Sequence, residues 1–185
     1  MKRENGVPRR THGGYTLIEQ ILVLAIATTL LCVGAPALGH LRTRSHLQAA
    51  GSDLAAALRA ARNLAIETRR RTLLCPTRDG QQCSDSLHWE DGWLVGHYQS
   101  EKADQLNGAA VWVTGGQPAL TILSTTGRKR IRFQPDGSAG GSNATFTLCS
   151  RGDARVTLAI TVASSGRILS THATAEQAQR CASEG

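Results

Sequence analysis

The sequence lacks the short motifs that announce common catalytic machinery. It has no G-x-S-x-G nucleophile elbow, no H-E-x-x-H zinc helix and no phosphate-binding loop. Its six histidines are scattered, and His88 and His97, which flank a tryptophan-rich segment, have no obvious carboxylate partner. No C-x-x-C or H-x-x-x-H spacing supports a zinc site built from those histidines and nearby thiols. The chain therefore reads as non-enzymatic, with no cofactor and no metal. Lysine is scarce too: 3 Lys stand against 18 Arg. Arginine's planar fork suits phosphate and carboxylate, but GC-rich coding inflates arginine just as well, so the formal charge of +7 chooses no partner.

One absence carries more information than the rest. Between Glu19 and Arg42 lie 22 residues without a single Lys, Arg, Asp or Glu. At about 1.5 Å per helical residue they span about 33 Å, enough for a bilayer core of about 30 Å. Lys2, Arg3, Arg9 and Arg10 precede this run, which places the leader in the cytoplasm by the positive-inside rule. Those four cations less Glu4 give the leader +3, leaving about +4 for the remainder. An ordinary signal peptide carries its apolar stretch before an A-x-A cleavage site. Here no such site follows, and the small residue Gly14 comes before the run. Glu19 sits at the mouth of the apolar helix, where a lone carboxylate is costly and points to a role. Pro36 removes a backbone bond to Cys32 and makes a weak point, softened further by Gly34 and Gly39.

At 185 residues the chain supports one domain with a real core. The helix expected from Tyr15 to about Arg71 changes character midway. Leu47, Leu54, Leu58, Ala61 and Ala65 recur at helical spacing, with Arg44, Arg59 and Arg62 among them. Beyond it, short strands are expected at 93–98, 110–113, 120–123, 129–133, 144–149, 155–162 and 167–170. The clearest is 155–162, where Val156, Leu158, Ile160 and Val162 alternate with Arg155, Thr157, Ala159 and Thr161. Pro135-Asp136-Gly137 and Gly140-Gly141-Ser142-Asn143 read as turns. Trp89, Trp93 and Trp112 read as core anchors rather than base-stacking platforms.

Cys32 lies inside the apolar run, whereas Cys75, Cys83, Cys149 and Cys181 fall on the exported side, where disulfides persist. Four cysteines allow three pairings. Proximity in the chain and the flanking strands favour Cys75–Cys83 and Cys149–Cys181, contributing about 2.5 and about 3.5 kcal/mol by loop-closure entropy.

Gly14-Tyr15-Thr16-Leu17-Ile18-Glu19, set between a basic leader and an apolar run, strongly resembles the class III signal of type IV pilins and type II secretion pseudopilins. The resemblance implies that a prepilin peptidase cuts between Gly14 and Tyr15, N-methylates Tyr15 and leaves the helix attached. Tyr15 stands where phenylalanine is usual. It also implies that Glu19 pairs with the freed amine of Tyr15 in a neighbouring subunit. Cys75-Pro76, Cys83, Trp89, Gly92-Trp93, Phe133-Gln134-Pro135-Asp136-Gly137, Phe146-Thr147-Leu148-Cys149 and Ser165-Gly166-Arg167 are similar to the FimT/GspH group of minor pilins. Nearly the whole chain is covered.

The implied fold is α+β, a long N-terminal transmembrane α-helix packed on a mainly antiparallel β-sheet domain. Residues 1–14 would be the leader, 15–41 the transmembrane half-helix, 42–72 its amphipathic periplasmic half and 73–185 the β domain. The implied function is a minor subunit of the pilus-like fibre of a type II secretion system or type IV pilus. Other pilins, the prepilin peptidase and the inner membrane would be its partners. The C-terminal domain would lie in the periplasm.

The alternative is a DNA-binding minor pilin for DNA uptake. On a strand, Arg128, Arg130 and Arg132 share one face about 6.6 Å apart, a row able to track a phosphate backbone of double-stranded DNA. Some FimT-type proteins bind DNA through a G-R-x-R motif near the C-terminus. Gly166-Arg167-Ile168-Leu169 keeps only its first arginine, while Gly127-Arg128-Lys129-Arg130 has the spacing earlier in the chain.

Overall fold

Two opposite hydrophobic patterns share one helix. A computed structural model describes Gly14, residues 16–99 and residues 104–185, without the side chains at 33–38 and 40. Helix α1 (Leu17–Thr68) is followed by strands β1 (Thr72–Pro76), β2 (Trp93–His97), β3 (Trp112–Thr114), β4 (Leu120–Ser124), β5 (Ile131–Phe133), β6 (Ala144–Ser150), β7 (Asp153–Val162) and β8 (Ile168–Thr171). A short helix α2 (Ala175–Ser183) closes the order. The chain divides into two units, Met1–Leu41 and Arg42–Gly185.

In the first unit, α1 begins at Leu17, where Thr16 caps it: the Glu19 amide donates to the Thr16 hydroxyl at 3.4 Å. Residues 17–31 expose Leu17, Ile18, Leu22, Leu24, Leu30 and Leu31 on every side. The helix runs on through Pro36. Among the described residues no helix is long and apolar enough to cross a membrane. The unbroken stretch of described side chains in the expected span ends at Cys32.

The second unit is α+β, with two four-stranded antiparallel sheets, β3-β2-β1-β5 and β4-β6-β7-β8. Leu47, Ala50, Leu54, Ala57, Leu58, Ala61 and Ala65 form the buried face of α1, as the spacing predicts. They join Leu74, Trp93, Ile131 and Phe133 of one sheet and Ile122, Phe146, Leu148 and Ile160 of the other in a single core. Both sheets thus rest on one helix face. The alanines matter as much as the leucines, because short side chains let two sheets approach together. Trp89 packs edge-to-face on Phe146, ring centroids 4.9 Å apart.

The structure corrects several expected elements. One sheet was expected and two are present. β1 was not anticipated because all five of its residues are buried, so it shows no alternation. Leu74 faces the helix core while Leu73 and Cys75 face a second cluster with Leu94 and Tyr98. α1 ends at Thr68 rather than near Arg71, because Arg69 adopts a left-handed backbone (φ 52°) that turns the chain toward β1. The Thr72 hydroxyl then donates to the Ala61 carbonyl of α1 at 2.7 Å. Trp112 is no core anchor; it lies on edge strand β3, half exposed beside exposed Val111 and Val113. Helix α2 was also missed, although Thr174-Ala175-Glu176-Gln177 spells a capping box, and both of its reciprocal bonds form.

Candidate functional site

Four clusters carry the chemistry the sequence singled out. At the N-terminal end, Gly14 is exposed and Tyr15 lies outside the described residues, as do leader residues 1–13. Glu19 is exposed in the first turn of α1, where the positive end of the helix dipole favours a carboxylate. Thr16-Leu17-Ile18-Glu19 therefore doubles as a helix start, a reading the sequence carried in its [ST]-x-x-E spacing.

The second cluster is the basic stretch 127–133. The expected row of three arginines on one strand is not formed. β5 covers only Ile131–Phe133, because its partner β1 pairs with it over just three residues, Thr72, Leu73 and Leu74. Ile131 and Phe133 are buried as expected, and Arg132 points to the opposite face. The outer edge of β5 is closed by Ser142, whose hydroxyl accepts from the Arg132 amide (2.8 Å) and donates to its carbonyl (3.0 Å). Two carboxylates enter among the cations. Asp85 takes Lys129 Nζ at 2.7 Å and stands 3.5 Å from Arg130 Nη1. Asp104 pairs with Arg132, and its backbone carbonyl accepts from Arg130 Nε at 3.0 Å. The Lys129 hydrogen bond holds the Asp85 carboxyl below its usual range. These pairs are largely exposed on the aspartate side, so solvent screening leaves them little weight in stability. Their effect is on availability: part of the positive field is already answered inside the chain. Sequence reasoning missed both aspartates, which lie 44 and 28 residues away from the cations they meet.

Arg167 belongs to neither of these ion pairs. It is exposed beyond Gly166, in the turn between β7 and β8. Gly166 itself is buried with φ 79°, and a Cβ there would collide with the Gly137 carbonyl oxygen. That carbonyl accepts from Arg62 Nε of α1 at 2.9 Å. The Gln-Pro-Asp-Gly and Ser-Gly-Arg motifs are thus one structural feature, two glycine turns clamped by a helix arginine.

The third cluster is the pair of disulfides. Cys75–Cys83 and Cys149–Cys181 are both formed, with Cα–Cα distances of 5.5 and 6.1 Å. The first closes a loop in which Asp79 accepts from the Gln81 and Gln82 amides, and those bonds lower its pKa. The second ties α2 to β6. Cys32 is free and exposed. With four thiols consumed, no group of three or more His, Cys, Asp or Glu could hold a metal among the described residues.

The fourth is His88, whose Nδ1 lies 2.9 Å from Glu90 and whose Nε2 lies 3.9 Å from Glu184. Glu90 in turn accepts from the Ile122 amide at 3.0 Å. In sequence His88 has no obvious carboxylate partner; folding brings it to two, Glu90 two residues on and distant Glu184. The arrangement knits the chain before β2 to β4 and to the end of α2.

None of these clusters forms an enclosed catalytic cleft; the features that set this chain apart are its long helix, its two sheets and its two staples. A family model described as type II transport protein GspH matches residues 50–166. The chain belongs to the GspH family. The match begins in the packed half of α1 and ends at Gly166, so it takes in both sheets as far as the clamped turns. Two crystal structures of the Pseudomonas aeruginosa type IV minor pilin FimU are similar to this GspH-family chain. One, at 21% identity and a TM-score of 0.56, covers 72% of this chain and 92% of FimU. The other, at 21% identity and 0.55, covers 70% and 94%. At that identity the likeness establishes a shared pilin-like fold. A search of curated proteins finds no match.

Proposed function

We propose that this GspH-family chain is a non-enzymatic minor pseudopilin or pilin, built into the pilus-like fibre of a type II secretion system or type IV pilus. There it supports protein secretion or pilus biogenesis. One observation carries the reading: α1 buries one face of its second half in the domain and leaves its first half apolar and exposed on every side. A soluble domain does not keep such a surface in water. The inner membrane before assembly, and neighbouring helices after it, would cover it. In this scheme residues 1–14 are removed by the prepilin peptidase and Tyr15 becomes the methylated N-terminus. Residues 15–41 anchor the chain, Pro36 loosens the anchor on assembly, and Arg42–Gly185 lies in the periplasm.

Glu19 meets the freed amine of a neighbouring subunit in this scheme, since an unpaired carboxylate in lipid is costly. Glu19→Ala should abolish incorporation into sheared fibres while the periplasmic domain keeps its melting temperature. Normal incorporation of that variant would end the assembly role.

A second reading, contact with double-stranded DNA, draws on four cations at 128–132 facing two carboxylates around one polar recess. Exchanging Arg128, Arg130 and Arg132 for glutamine would then remove binding by the full-length chain in detergent. Its log–log salt slope should be near about −2.7 for three phosphate contacts. Binding unchanged by the triple exchange would refute this surface.

A further inference from the structure

A recess of about 280 Å³ opens where α1 enters the second unit, between the helix and the ends of β4 and β6. Its walls are Arg42, Thr43 and His46 on one side, with Ala119, Leu120 and Ser150 on the other. Arg42 and His46 are four residues apart, so they project from one face of the helix about 6 Å apart along its axis. Both are exposed; among the described residues neither enters an ion pair and no carboxylate lines the recess. The opposite wall is different in kind: Ala119 and buried Leu120 offer carbon, and Ser150 a hydroxyl. We infer that this recess is a binding site for the anionic headgroup of a phospholipid.

Three observations select that ligand. Among the described residues Arg42 and His46 enter no ion pair, in contrast to the cations at 129–132, which Asp85 and Asp104 already engage. Arginine's fork then binds a phosphodiester bidentately, with His46 and Ser150 as further donors. The apolar wall would be wasted on inorganic phosphate but suits the glycerol carbons beside a lipid phosphate. The volume lies just under the usual range for small-ligand sites, room for a headgroup and too small for a protein segment. Position agrees as well. Arg42 is the first charged residue after the apolar run and His46 follows one turn later. Residues there stand at headgroup depth in a chain anchored by that run. The inference rests on the anchored reading for its biological setting, though not for its chemistry.

The test is a titration of the full-length chain in a non-ionic detergent, following the backbone amide signals of Leu120 and Ser150 by NMR. The probes are dihexanoyl phosphatidylglycerol, dihexanoyl phosphatidylcholine and inorganic phosphate. Phosphatidylglycerol should give saturable shifts. Phosphatidylcholine should bind more weakly, because its choline cation faces Arg42, and inorganic phosphate more weakly still, because it leaves the apolar wall unused. The double exchange Arg42→Gln, His46→Gln should weaken phosphatidylglycerol binding about tenfold or more, as loss of charge-assisted bonds does. The Trp89 indole signal should stay in place and report an intact core.

Non-saturating shifts, equal affinity for inorganic phosphate, or an unchanged double variant would each overturn the site. Flotation with vesicles of pure phosphatidylcholine tests the anchor separately. A chain that fails to float refutes the anchored reading, while the titration with soluble short-chain lipid still decides the recess.

Discussion

The two halves of α1 on either side of 33–40 present opposite surfaces. Residues 17–31 carry large apolar side chains on all sides and leave them exposed, while residues 47–65 bury one stripe of leucine and alanine and turn Arg59 outward. The second pattern has its solvent built in, because two sheets close over the stripe. The first calls for an apolar surrounding that its own unit does not supply. Burial within a single chain is therefore an incomplete guide to which residues matter: under the proposed assembly role the exposed half is constrained as well.

The largest effect that would sharpen the contrast comes from truncating a leucine on each side. Leu58→Ala, in the core, should lower unfolding free energy by about 2–5 kcal/mol in a denaturant titration of the detergent-solubilised chain. Leu22→Ala, in the exposed half, should leave that value within about 0.5 kcal/mol. Equal losses would mean that the two halves share one cooperative unit.

Next come two helix glycines. A Cβ at Gly51 would collide with the Leu158 side chain of β7, so Gly51→Ala should cost about 1 kcal/mol or more as Leu158 is displaced. At Gly39 nothing stands within 4 Å of an added Cβ, and Gly39→Ala should strengthen the helix by about 0.5–1 kcal/mol. Opposite signs in thermal melts would confirm that packing governs one half and propensity the other.

Breaking the second disulfide probes the packed half from its far side. Cys149→Ser with Cys181→Ser should cost up to about 3.5 kcal/mol and speed hydrogen exchange in α2 before it does so in α1.

The smallest effect is acid. Asp79, Asp85 and Asp136 all have carboxyls held below the ordinary 3.8, Asp79 by the Gln82 and Gln81 amides, Asp85 by Lys129, Asp136 by Ser138. A depressed folded-state pKa stabilises above the unfolded value and is lost as pH falls through the folded one. Melting temperature should therefore hold near neutrality and drop below pH about 4. Asp79→Asn should flatten part of that drop.

Much of this was legible in the sequence where one periodicity dominated. The stripe from Leu47 to Ala65 and the alternation of Val156 to Val162 mark one buried face each, and both elements formed. β1 hid because Leu73 and Leu74 are buried on opposite faces, and a strand covered twice has no period to read. Both disulfides followed from chain proximity. The arginine row failed for a long-range reason: nothing near 128–132 announces that Asp85 and Asp104 will fold against it. Arg62 clamping the Gly137 and Gly166 turns was equally invisible, since three distant segments meet there.

One join has a mechanical consequence. Only three residues separate the end of α1 from β1, and the Thr72 hydroxyl fastens the two across that turn. β1 is an inner strand, laddered over five residues to β2 and over three to β5. A pull on the helix thus arrives at the middle of a sheet, not at a frayed margin. Load is shared by two ladders at once. A subunit hauled by its helix would carry its domain as cargo on a fixed hitch, with tension passed to the part of the fold least able to yield.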